Sequence, residues 1–239
     1  MGIRTELDLG LDELRDMLFR MEGLVSKAMQ KAIESLKRRD PDLAEQVIRE
    51  DAEINRLRYD VEQFCVTTIA TQQPVATDLR TIIAAVHIAV EMERMGDHAA
   101  GVAKIALKTH TEPLLKPLVD LPRMAAIGSE MLHEGVRAFI NADLSAAEAI
   151  VKRDDEVDSL HDQIFQELLT FMRKDPDSVP RATHLIWASH AVERFADRAT
   201  NIAERIIFVT KGELADLTSE AIAPKRQGPH RAGVERPGS

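Results

Sequence analysis

Apolar residues recur every three or four positions along most of this chain, in long runs separated by short breaks marked by proline, glycine or Asp/Asn. The run Leu185, Ala188, Val192, Phe195, Ala199, Ile202, Ile206 and Val209 is the clearest case. Its near-heptad spacing is that of a helix with one buried face. The breaks carry helix-end chemistry. Asp40-Pro41 pairs a capping side chain with a proline suited to a first helical turn. Gln73-Pro74 stops the next run, and Thr77 is the expected cap of its successor. Pro113, Pro117 and Pro122 mark a longer connection, and Asn141-Ala142-Asp143 offers another cap. Asp175-Pro176 and Pro180 break the fifth run, and Lys211-Gly212 ends the sixth. Six helices follow, near 5–38, 42–71, 77–109, 121–140, 144–173 and 181–211. Short connections between long helices imply antiparallel neighbours.

The pattern is also duplicated. Glu93-Arg94-Met95-Gly96-Asp97-His98-Ala99 recurs as Glu193-Arg194-Phe195-Ala196-Asp197-Arg198-Ala199, a shift of 100. Asp40, Val47, Asp51, Glu53, Ile54, Leu57 and Val61 align without gaps on Asp143, Ile150, Asp154, Glu156, Val157, Leu160 and Ile164, a shift of 103. The difference falls in the connections around Pro74 and Pro176, where chain length costs little. The predicted fold is therefore all-α, with two tandem three-helix bundles at 1–111 and 112–212. From about Glu220 to Ser239 apolar periodicity is absent, and residues 213–239 read as a disordered tail.

Composition narrows the function. The formal net charge of −9 argues against broad nucleic-acid binding and suits cation binding. Lys37-Arg38-Arg39 is the densest basic cluster, and it falls at a helix C-terminus, where it serves the helix dipole. Cys65 is the single cysteine and lies on an apolar face, so a buried, inert thiol is expected. The charged stretch Met1 to Leu14 does not read as a signal peptide, and no apolar run is long enough to span a membrane. The expected location is the cytoplasm, with membrane contact only through partners. The Met-bearing and Ala-rich helix faces could support a homodimer.

The repeated motif places Glu93 with Asp97, and Glu193 with Asp197, on one helix face each, opposite the apolar stripe. The preceding helices add Asp51 with Asn55 and Asp154 with Asp158. If these helices are neighbours, each half gathers four oxygen-bearing side chains. Such a group suits Mg²⁺, Ca²⁺ or Mn²⁺, and clustered carboxylates also accept iron. The alternative is a solvated acidic face balanced by arginines, with Glu91 pairing to Arg94. A carboxylate-bridged, di-iron-like metalloenzyme is a competing reading. It rests on Glu130-x-x-His133, which has no duplicate in the other half, and on the similarly spaced Asp158 and His161. His190 is a candidate peripheral ligand, and Trp187, opposite His87 in the alignment, reads as a boundary packing position. No phosphate-binding glycine loop, nucleophile elbow or zincin motif is present in the sequence.

The run Ala70-Thr71-Gln72-Gln73-Pro74-Val75-Ala76-Thr77-Asp78-Leu79-Arg80, the Asp51–Asn55 segment and the two Glu-x-x-x-Asp motifs together resemble the PhoU family. The resemblance spans about residues 5–211. It implies a non-enzymatic cytoplasmic regulator that represses the phosphate-starvation response. The implied partners are the ATP-binding subunit of a phosphate ABC transporter and a sensor histidine kinase. It further implies surface metal ions (iron, Mg, Mn, Ca or Zn) on Asp51, Asn55, Glu93, Asp97, Asp154, Asp158, Glu193 and Asp197. Asn55 in place of a carboxylate, and Gly101 opposite Asn201, make the first half the weaker ligand set.

Overall fold

A computed structural model of the chain describes residues 3–212. The tail expected from 213 onward lies outside the described residues. Within them are six long helices: α1 Ile3–Arg38, α2 Pro41–Gln72, α3 Ala76–Thr109, α4 Asp120–Asn141, α5 Leu144–Lys174 and α6 Val179–Lys211. A single 3-10 turn, Pro176–Ser178, leads into α6.

Most helix ends form where the sequence places them. The Asp40 carboxylate accepts the Leu43 N–H at 3.0 Å, with Pro41 filling the first turn of α2. Asp143 does the same for α5, accepting the Ser145 and Ala146 N–H groups at 3.0 and 3.1 Å. Gly212 closes α6 in a left-handed conformation, φ 78°, and donates its N–H to the Phe208 carbonyl at 2.9 Å. Two expectations need correction. Thr77 does not cap α3. After Pro74 the chain is extended at Val75 and enters the helix at Ala76, so Thr77 is already inside the first turn. Its hydroxyl instead accepts from the Arg80 guanidinium at 3.0 Å. α6 begins at Val179 because Pro180 is tolerated in a first turn, where its missing N–H has no helical partner to lose.

The third helix of each half forms the centre. α3 and α6 run antiparallel: Arg80, near the start of α3, donates to the Val209 carbonyl near the end of α6 at 3.2 Å. Because α3 and α6 are the equivalent helices of the two halves, they set those halves about an approximate two-fold axis. α2 flanks α3, α5 flanks α6, and α1 and α4 cover the opposite side and touch each other. The core is continuous across both halves. The whole predicted stripe of α6 is buried, and so are Met92, Met95, Ala99 and Val102 of α3. Met21, Met29, Met124 and Met131 are buried too. The methionine- and alanine-rich faces are thus consumed within the chain, and a dimer would have to use other surfaces. Trp187 is 54% exposed, more open than a packing position. Cys65 is buried, and its thiol is pushed up to about 12, by burial first and then by Glu62.

Phe195 sits at the centre, fully buried, against Gly128 of α4. A Cβ at Gly128 would lie 3.0 Å from the Phe195 ring, so the bare glycine is what admits the aromatic side chain. Phe195→Ala should lower unfolding free energy by about 3–5 kcal/mol, measured by urea denaturation followed by helical circular dichroism. A change within the range of a surface substitution, about 0.5 kcal/mol, would show that the α4–α6 packing does not depend on this ring.

Candidate metal centre

The core stripe decides where the carboxylates go. With Val192, Phe195, Ala199 and Ile202 buried, Glu193 and Asp197 lie at the border of α6, partly buried. On α5, burial of Val157 and Leu160 puts Asp154 and Asp158 at the facing border. Carboxylate oxygens of Asp154, Asp158 and Asp197 lie within 4.8 Å of one another. Glu193 precedes Asp197 by one turn. Its Oε2 is buried with no hydrogen-bond partner, although His190 Nδ1 is 3.1 Å away. Asp154 Oδ1 is likewise buried and unpartnered.

The electrostatics follow from this crowding. Asp154 is pushed up to about 7, first by burial and then by Asp197, Asp158 and Glu193. Burial also raises Asp158, Glu193 and Asp197; Asp197 further raises Asp158 and Glu193, while Arg194 and Arg198 oppose the rise at Asp197. Two imidazoles border the group. His161 Nδ1 is 2.8 Å from the buried Ser189 hydroxyl, and the His161 and His190 rings are 6.0 Å apart. Burial, then His190, lowers His161, so it is a neutral nitrogen donor at neutral pH. Unpaired carboxylate oxygens under mutual repulsion, with imidazoles alongside, form a donor set that fits a multivalent cation.

The first half assembles the equivalent residues differently. Asp51 Oδ1 is buried and unpartnered, but the Asn55 amide donates to Asp51 Oδ2 at 2.9 Å and to the Asp51 carbonyl at 3.1 Å. Burial and then Asp97 raise Asp51, while Asn55 and Lys104 pull it back. Glu93 is raised by burial and then by Asp97, against the pull of Arg58. This set fits a cation less well, because the Asn55 amide already donates to one Asp51 oxygen.

Glu130 and His133 stand apart from both groups. Arg153 donates to Glu130, and His133 faces Glu22 at 3.6 Å. Sequence reasoning anticipated the Glu91–Arg94 pair, now at 3.0 Å, but missed that Glu91 also reaches the other half. It accepts from Asn201 at 3.0 Å and from Arg198 at 3.4 Å. The available signal was a break in the duplication, since Ala191, His98 and Gly101 occupy the matching positions. His98 is pushed down to about 4, by burial first and then by Arg198 and Arg194, and so stays neutral.

The PhoU domain model matches the chain twice, over residues 18–106 and 121–206. The chain belongs to the PhoU family. It is 39% identical over 204 residues to a phosphate-specific transport system accessory protein PhoU homolog of Aquifex aeolicus, covering 85% of this chain and 92% of that one. A Caulobacter vibrioides protein of the same description is 37% identical, with 84% and 87% covered. Among solved structures, PhoU from Pseudomonas aeruginosa superposes with a TM-score of 0.80 at 32% identity, covering 86% of this chain and 99% of that one. The phosphate transport system regulatory protein PhoU from Streptococcus pneumoniae gives 0.82 at 32% identity, with 88% and 100% covered. The six-helix architecture of this PhoU member is therefore that of its solved relatives.

The raised carboxylates carry a pH signature. A carboxyl group whose folded value lies above its unfolded one stabilises the fold fully below the unfolded range. That contribution is lost as pH rises through the folded value. For Asp154 the window runs from the ordinary carboxylate range to about 7. In metal-free protein the stability contributed by Asp154 should therefore fall between about pH 4 and about pH 7, while His98 contributes the opposite slope, so the wild-type midpoint relative to that of Asp154→Asn should decline across this window. Differential scanning calorimetry of both proteins in chelator checks this; a midpoint difference that climbs with pH over that interval would contradict it.

Proposed function

We propose that this chain is a non-catalytic accessory regulator of phosphate uptake that holds multivalent cations on its carboxylate faces and acts by binding other proteins. The observation that carries the reading is the match of both halves to the PhoU domain, with relatives described as accessory or regulatory proteins of phosphate transport. In this reading the partners are the ATP-binding subunit of a phosphate ABC transporter and the cytoplasmic part of a sensor histidine kinase, and the outcome is repression of the phosphate-starvation response. Among the described residues no helix is long and apolar enough to cross a membrane, which agrees with membrane contact made through such partners. The proposed setting is the cytoplasm, with the chain as a homodimer.

A regulator of this kind needs a surface that prefers one state of its partner. It shifts a partner's equilibrium only by the difference between its two affinities, and full switching takes about a 10⁴-fold difference. Cations on the Asp154, Asp158, Glu193 and Asp197 face would turn a repulsive acidic patch into one that accepts a partner's oxygen ligands. A metal-bridged enzyme of the di-iron kind would need paired Glu-x-x-His ligands. Glu130 and His133 are instead engaged by Arg153 and Glu22, which counts against it.

Deleting the gene in its host should release phosphate-responsive genes from repression in phosphate-rich medium, read by a reporter. Normal repression in the deletion strain would overturn the regulatory role. Glu193→Gln with Asp197→Asn should lower the metal content of protein purified without chelator, with helical circular dichroism unchanged. Unaltered metal content would overturn the assignment of these ligands.

A further inference from the structure

We propose that the cleft where the α3–α4 connection crosses the ends of α1, α3 and α6, together with exposed Trp187, docks an acidic segment of a protein partner that carries apolar side chains. The inference rests on the regulatory reading above and deepens it by giving the chain a partner surface apart from both carboxylate faces.

The cleft is apolar inside and basic at its rim. Leu36, Ile105, Pro113, Leu114 and Leu185 line it, and Glu112 is the single carboxylate among its lining residues. Arg181 lines it too. Arg39 turns out of the end of α1 at φ 57° and donates to the Glu112 carbonyl at 3.4 Å. Lys108 follows Ile105 by one turn of α3 and is exposed. Neighbouring Arg38 pairs with Glu34, but Arg39, Lys108 and Arg181 form no ion pair among the described residues. In a chain of net charge −9, unpaired cations around an apolar cleft reverse the sign locally. Such a patch selects a negatively charged partner.

Trp187 supplies the anchor. It is the chain's single tryptophan and is 54% exposed. Its ring meets His184 edge-on, with centroids 5.6 Å apart and planes at 70°. His184 belongs to the cleft wall, and its Nδ1 is buried and unpartnered. Trp187 is thus joined to the cleft through one ring and open on its remaining surface. Tryptophan and arginine are the residues that most often dominate the energy of protein interfaces. The duplication breaks at this place: Thr81, Ala84, His87 and Arg205 stand where Arg181, His184, Trp187 and Ile105 do. The surface therefore belongs to one end of the molecule and is no by-product of the repeated fold. A nucleic-acid backbone or an anionic bilayer would meet the acidic body as well as this patch, whereas a peptide segment brings a few carboxylates and apolar side chains to the patch alone.

The full chain labelled with fluorotryptophan has a single fluorine resonance, that of Trp187. It is titrated with the purified ATP-binding subunit of the host's phosphate transporter and, separately, with the cytoplasmic part of its sensor histidine kinase. At least one of them should shift or broaden the resonance. By isothermal titration calorimetry that partner should bind Trp187→His, and Arg39→Glu with Lys108→Glu, about tenfold or more weakly than wild type, with helical circular dichroism unchanged. Binding that leaves the resonance unmoved and both variants at wild-type affinity would overturn this surface and leave the regulatory reading intact. Failure of both proteins to bind wild type would overturn the proposed partners as well. Tighter binding of duplex DNA or phosphatidylglycerol vesicles at Trp187 than of either protein would overturn the choice of a protein segment. The charge-reversal pair decides the matter by itself if Trp187→His does not fold.

Discussion

The antiparallel packing of α3 on α6 is the constraint from which the rest follows. Each helix must bury a stripe spaced by threes and fours, and neither has freedom to rotate once Met95 and Phe195 are in the core. Rotation fixed in this way places Glu93 and Asp97 at the edge facing α2, and Glu193 and Asp197 at the edge facing α5. The second helices are fixed in turn by Ile54, Leu57, Val157 and Leu160. The convergence of carboxylates is thus a product of core packing. No polar attraction draws them together, since they repel.

That repulsion is small in one helix and larger between helices. A like-charged pair four residues apart costs a solvated helix about 0.2–0.5 kcal/mol. Partial burial and two further carboxylates across the interface raise the cost, and the displacement of Asp154 to about 7 is its visible mark. Arginines relieve some of it. Arg194 and Arg198 act on Asp197, and Glu91 gathers Arg94, Arg198 and Asn201 into one junction between the halves. Asp154 and Glu193 retain buried oxygens with no such partner. A protein stabilised only for its own sake would neutralise those positions. Their persistence in a fold with ample core is the physical reason to look for a ligand there.

The sequence announces what is local and periodic. Asp40 and Asp143 cap because a carboxylate before a helical run has few better uses, and the stripe of α6 reads directly as its buried face. The grouping of Asp154, Asp158 and Asp197 was legible because helix geometry links i to i+4 and the duplication repeats the pattern. What was not legible depended on the third dimension. Thr77 has the chemistry of a cap, but the path of the chain at Val75 and Ala76 decides its place. Glu91 pairs locally with Arg94, yet its contacts to Arg198 and Asn201 require knowing that α3 and α6 are antiparallel. The apolar faces of the methionine-bearing helices announced burial without saying whether the partner was this chain or another.

Duplication also explains why the faces are free to differ while the fold is not. Core positions match in kind: Val47 with Ile150, Ile54 with Val157, Leu57 with Leu160, and Val61 with Ile164, all buried. Where a core pair changes size, another position compensates. Met95 corresponds to Phe195, and counting back from the aligned caps Asp40 and Asp143 sets Val25 against Gly128. The larger side chain in the second half faces the smaller one, and Gly128 meets the Phe195 ring directly. Packing density therefore couples core positions to one another. Surface positions such as Asn55 and Lys104 carry no such coupling. They can change charge between the halves without disturbing a helix, so the polar faces can diverge while both halves keep the bundle.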